Sequence, residues 1–140
     1  MLPVRADLDL RLVLGGDRTV TVPATLAYAP TEPYAVSTVF RTGDGDITWV
    51  FGRDLLEDGL NSRVGEGDVA VWPSASRGTK VVCLSLASPS GSALLEADHD
   101  AVRSFLDDSY RLVPLGAESP FLDLDAELAG LLGDEPTPAA

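Results

Sequence analysis

The 140 residues include one cysteine, one histidine, one lysine, one isoleucine, one asparagine and no glutamine. The lone Cys83 has no partner for an intramolecular disulfide, so nothing points to an oxidising compartment. The lone His99 has no His or Cys at ligand spacing, and a metal centre needs several such donors converging. No apolar run approaches a membrane span; the longest near-continuous one covers residues 81–87. Asp7 and Asp9 interrupt any signal-peptide core, so a cytoplasmic protein is expected. Bases are scarce: ten Lys and Arg stand against 22 Asp and Glu, a net charge of −12. Such a surface repels phosphate and anionic lipid. That argues against a general nucleic-acid or membrane binder and leaves room only for a small local basic patch.

The length corresponds to one domain, large enough for a real core without metal or disulfide staples. Hydrophobic residues at 45% and charged residues at 23% exclude wholesale disorder. Val4, Ala6, Leu8, Leu10, Leu12 and Leu14 alternate with Arg5, Asp7, Asp9 and Arg11, which predicts a strand with the first set buried. Gly15-Gly16-Asp17 turns the chain into a second strand carrying Val20, Val22, Ala24, Leu26 and Tyr28. Pro23 is expected to place that strand at an edge or a bulge, since proline cannot donate to a ladder. Strands over 34–41 and 47–51 follow, joined by the turn at 43–46, and complete a four-stranded meander.

A short helix is expected over 53–60 with Gly59 as its stop, then a polar loop over 61–68. A second meander follows, with strands over 69–73, 80–88 and 92–97 and Ser/Gly/Pro-rich connectors at 74–79 and 89–91. Val102, Phe105, Leu106 and Tyr110 lie at helical spacing within 98–111, with Asp98 or Asp100 as the cap. A last helix is expected over 122–132, with Leu124, Leu128, Leu131 and Leu132 as its stripe. The reading is an α+β single domain over residues 1–133, built of two antiparallel sheets with helices, and a disordered tail over 134–140.

The chemistry the residues support is sparse. His99 reads as a solvated residue in a first helical turn, and Cys83 as a small core hydrophobe. Asp44-Gly45-Asp46 is a hairpin turn, because Thr48 and Trp49 stand where calcium ligands would follow. The glycines at 65 and 67 have the wrong spacing for a dinucleotide fingerprint, and Gly78-Thr79-Lys80 the wrong order for a phosphate loop. No catalytic, cofactor or metal residues are assigned. Two features suggest a protein partner instead. Trp72 leads into a connector that, with Lys80, holds Arg77 and Lys80 and no acid. Arg53 and Asp54 open a helix straight off a strand, where a local ion pair and cap is the plainer reading. Trp72, Arg77, Lys80 and Arg53 are therefore the candidate partner-binding residues.

Several of these segments, in collinear order, resemble one family. They are Glu32-Pro33-Tyr34-Ala35-Val36, WVFGRDLLEDGL from Trp49 to Leu60, GDVAVWP from Gly67 to Pro73, VVCLSL from Val81 to Leu86, and SPSGSALLE from Ser88 to Glu96. Together with Phe105-Leu106 and FLDLDAEL from Phe121 to Leu128, they are similar to the SsgA-like proteins of sporulating actinobacteria. The Arg-rich, Lys-poor usage, typical of a high-GC genome, agrees. Within the family, the match is strongest to the member widely shared among sporulating actinobacteria.

The resemblance implies a non-enzymatic protein of sporulation-specific cell division that positions the septum by recruiting the tubulin-like FtsZ, together with SsgA. It also implies a whirly-like fold of two antiparallel sheets with helices, a homo-oligomer of trimer form, and a cytoplasmic position at the division septum. No cofactor is implied. Two alternatives are a whirly-type module for single-stranded nucleic acid and a regulator of septal peptidoglycan remodelling. The first needs converging bases, yet strand phase places only Arg5 and Arg11 on a common outer face, interleaved with Asp7 and Asp9.

Overall fold

The computed structural model describes residues 3–118, apart from Asp17 and Glu66. β1 (Val4–Val13) and β2 (Thr19–Tyr28) form the first hairpin, paired antiparallel from Val4 opposite Tyr28 to Val13 opposite Thr19. The period-two alternation sorts as the sequence predicts: Leu10, Val22, Ala24, Leu26 and Tyr28 are buried, and Asp7, Asp9 and Pro23 are exposed. β3 (Ala35–Thr42) and β4 (Gly45–Gly52) follow, with Gly43 and Asp44 as the two turn residues between Thr42 and Gly45. β2 is an interior strand in unbroken register with β1, so Pro23 marks neither the expected edge nor a bulge in that ladder. It pairs with β3 only from Ala24 to Ala27, so Pro23 sits one residue outside that ladder, where β2 has a neighbour on one side alone.

α1 (Arg53–Gly59) leaves β4 with no intervening loop. The second meander is β5 (Val69–Ser76), β6 (Thr79–Ser88) and β7 (Gly91–Asp98), and α2 (His99–Leu112) follows at once. The expectation of two sheets is corrected here. Arg11 pairs with Glu96 and Leu12 with Leu95, so β1 joins β7 and the two meanders become one seven-stranded antiparallel sheet, ordered β4-β3-β2-β1-β7-β6-β5. Two residue pairs make the junction. No local sequence signal marks so short a non-local register.

The sheet curls. α1 touches both of its edge strands, β4 and β5, while α2 packs across β1, β6 and β7. One apolar core results, in which Val102, Phe105 and Leu106 of α2 meet Leu10, Leu84 and Ala97 of the sheet. At about 25 cal/mol per Å² of apolar surface, this burial is the main stabilising term. Gly59 does more than end α1. A Cβ there would overlap the side chain of Val71 on β5, so the absence of one is what lets helix and strand approach so closely. The two described helices do not cover the whole sheet: Leu14 and Val20, expected on the buried face, are exposed. The helix expected over 122–132 and the tail expected over 134–140 lie outside the described residues.

Candidate partner-contact surfaces

The β5–β6 hairpin is longer and tighter than its composition suggests. β5 runs through Pro73 to Ser76, which pairs with Thr79, leaving only Arg77 and Gly78 in the turn. Both have positive φ, 52° and 79°, as the two central residues of a type I′ turn require. The connector at 74–79 is thus mostly ladder. Arg77 and Lys80 are brought together at the exposed tip, and neither makes an ion pair with any described residue. Ser76, Arg77 and Thr79 form one wall of a groove of about 600 Å³. Gly16 and Thr19 of the β1–β2 hairpin stand opposite, and Arg11, Glu96 and Asp98 lie between. Arg11 is already engaged, at 3.6 Å from Glu96 and 3.2 Å from Asp98.

Trp72 lies back from the tip, in register with Cys83 on the sheet face away from the core. It is half-buried, and the Arg63 guanidinium lies 4.3 Å from its ring centroid. Arg53 is separate from both. Its side chain is 1% exposed, so this protomer's folded surface does not present it. The local ion pair with Asp54 is replaced by one with Glu118, where Nη2 donates to the carboxylate at 2.7 Å. Nη1 donates to the carbonyl oxygens of Ser109 and Val113 at 3.2 and 2.8 Å. The guanidinium lies 4.7 Å from the Tyr28 ring and 4.4 Å from the Tyr110 ring. The hydrogen bond from Arg53 holds the Glu118 carboxyl below its ordinary range, against the opposing effect of burial. Burial pushes the Tyr28 and Tyr110 phenols up.

Several other titratable groups make structural contacts. His99 is not a solvated residue: Nε2 donates to the Leu60 carbonyl at 3.2 Å, tying the start of α2 to the end of α1. Asp98 precedes α2 without a side-chain capping bond and instead accepts from Arg11. Arg103 of α2 forks onto Glu57 of α1 at 2.8 and 2.7 Å. That bond lowers the Glu57 pKa and raises that of Arg103. Cys83 is buried, and burial raises its thiol pKa, which makes it a poor nucleophile. Among the described residues no three His, Cys, Asp or Glu side chains converge as a metal site.

Sequence reasoning missed Glu118, because its partner lies 65 residues away and no local pattern couples them. It also missed an apolar basin of about 470 Å³ at the open end of the curled sheet, between the Ile47–Trp49 side of β4 and the β6–β7 turn. Most residues that line it were legible as strand; Thr42, Ser90 and Gly91 fall at or in the expected connectors. What was not legible is that no described helix covers this end.

A family model described as "Streptomyces sporulation and cell division protein, SsgA" matches residues 22–118. A sporulation-specific cell division protein SsgB of Frankia casuarinae is 52% identical over 134 residues, covering 95% of this chain and 94% of the relative. The SsgB of Streptomyces coelicolor is 48% identical over 132 residues, covering 94% and 96%. Among solved structures, one reported with mutations in SsgB that correlate to longitudinal cell division during sporulation of Streptomyces coelicolor superposes with a TM-score of 0.84. It is 47% identical and covers 86% of this chain and 95% of that one. An SsgA-like sporulation-specific cell division protein from Thermobifida fusca superposes with a TM-score of 0.85 at 38% identity, covering 94% and 96%.

Proposed function

The chain belongs to the SsgA family of sporulation and cell division proteins, and from that premise we propose that it positions the sporulation septum by recruiting FtsZ to division sites. In this reading it acts without catalysis, as a homo-oligomer of trimeric form and whirly-like protomers, alongside SsgA and in the cytoplasm at the septum. The observation that carries the reading is likeness to SsgB proteins along nearly the whole chain, in sequence and fold together.

The geometry supports contact with a protein rather than turnover of a small molecule. The buried charged groups Arg53 and Glu118 are consumed in a structural pair, and the cations Arg77 and Lys80 stand exposed at a two-residue turn. Single-stranded nucleic acid is disfavoured. Arg11 is neutralised by Glu96 and Asp98, and Arg41 is engaged by Thr25, which itself donates to Asp7. Co-sedimentation of the purified chain with FtsZ polymers, with solution mass measured on the same sample, tests the reading. Binding by an oligomer is the expected result. A folded chain that stays in the supernatant would sink the recruitment role.

A further inference from the structure

The two edges of the sheet differ. β5 is guarded: it contains Pro73, and Val64 exchanges two backbone hydrogen bonds with Val71 at 2.9 Å, occupying the outer side of the strand. β4 is not guarded. It is eight residues long, has no proline and no lysine, and pairs along its whole length with β3 on one side only. No described residue pairs with its outer side. Two apolar side chains stand out on it, Ile47 at 50% and Val50 at 64% exposure. Natural sheets blunt such edges unless something pairs with them.

The bare edge adjoins the apolar basin. Ile47 and Trp49 project from β4 into its lining beside Leu12, Phe40, Leu86 and Leu95. A strand added to β4 lies about 4.8 Å away. Its alternate side chains would enter the basin, while its backbone would take the free donors and acceptors of the edge. Charge narrows the occupant. Asp44 and Asp46 stand at one end of β4 and Asp54 just past the other; all three are exposed and none is ion-paired among the described residues. Of the nearby bases, Arg53 is neutralised by Glu118; Arg41, in register opposite Asp46, donates to the Thr25 hydroxyl and keeps its charge, which leaves acids in excess along this edge. A second copy fits poorly, because its β4 carries Asp46 and no base, so pairing one such edge with another adds acid to acid.

We propose that β4 is a strand-addition site for an extended segment of a partner protein, apolar at alternate positions and flanked by basic residues. This surface is distinct from the Arg77–Lys80 tip, and it rests on the reading of the chain as a partner-binding protein. The probe is a synthetic peptide of alternating valine and threonine with paired lysines at each end, mixed with the full chain and followed by amide hydrogen exchange. The expected result is new protection at alternate amides of residues 45–52. Affinity should fall roughly tenfold when glutamates replace the flanking lysines, and again in a folded Ile47→Lys variant. Unchanged exchange at β4 overturns the proposal. So does a β4 that is already fully protected before peptide is added, since the chain's own residues or a second copy would then hold the edge. The two readings fail separately. Peptide protection without FtsZ sedimentation sinks recruitment and leaves this surface standing; sedimentation without protection does the reverse.

Discussion

Arg53 and Glu118 form an ion pair at 2.7 Å with side chains 1% and 7% exposed, so the residue that opens α1 is fastened to the segment after α2. Removing one partner strands the other in the interior. Arg53→Ala and Glu118→Ala should each cost about 3–5 kcal/mol, read as a drop in the urea midpoint at unchanged slope. Arg53→Met combined with Glu118→Leu, which removes both charges and keeps volume between the Tyr28 and Tyr110 rings, tests whether the ion pair or the packing matters. A double variant as stable as the parent chain would show that the ion pair adds no net stability.

The same pair sets an acid limit. The Glu118 and Glu57 carboxyls are held below their ordinary value of 4.5 by the hydrogen bonds from Arg53 and Arg103. Groups with a depressed folded pKa contribute stability that is complete above the unfolded value and lost as pH falls through the folded one. Stability should therefore fall with pH below about 4.5. Glu118→Gln should flatten that fall while lowering stability at neutral pH. An unaltered acid limb in Glu118→Gln would assign the loss elsewhere.

What the sequence showed and what it hid divide by distance along the chain. The strands, the short helix at Arg53 and the face of α2 follow from periodicity within ten or so residues. The β1–β7 junction, the Arg53–Glu118 pair and the His99–Leu60 contact each join segments that local pattern treats as independent. Arg53 shows the consequence. Next to Asp54 at the start of a helix it reads as a surface ion pair, and only the approach of the α2 C-terminus turns it into a core residue. Of the four proposed contact residues, the turn chemistry of Arg77-Gly78 explains why Arg77 and Lys80 meet at one tip, with Trp72 and Arg53 elsewhere.

Gly59 offers a test of packing that is free of charge effects. The side chain a Gly59→Ala chain would carry collides with Val71, which is fully buried on β5. Alanine is the better helix former, so propensity alone would make the change stabilising by roughly 1 kcal/mol. The overlap should win, giving a net loss of about 1–3 kcal/mol by thermal or urea unfolding. Val71→Ala in the same chain should recover part of it. A stabilised single variant would show that α1 and β5 separate at little cost.

Charge reversal at the hairpin tip separates binding from folding. Arg77 and Lys80 are exposed and make no ion pair among the described residues, so Arg77→Glu with Lys80→Glu should change unfolding free energy by no more than about 0.5 kcal/mol. The positive φ of Arg77 adds no complication, because glutamate meets the same backbone demand that arginine already meets. In a chain of net charge −12 the double reversal removes the free cations of this tip. If the tip contacts FtsZ, co-sedimentation should weaken markedly in the double variant. Binding by the parent chain should also fall as salt rises past about 0.15 M, where screening sets in over roughly 8 Å. A folded double variant that sediments as the parent does, with the same salt response, would remove this hairpin from the contact surface.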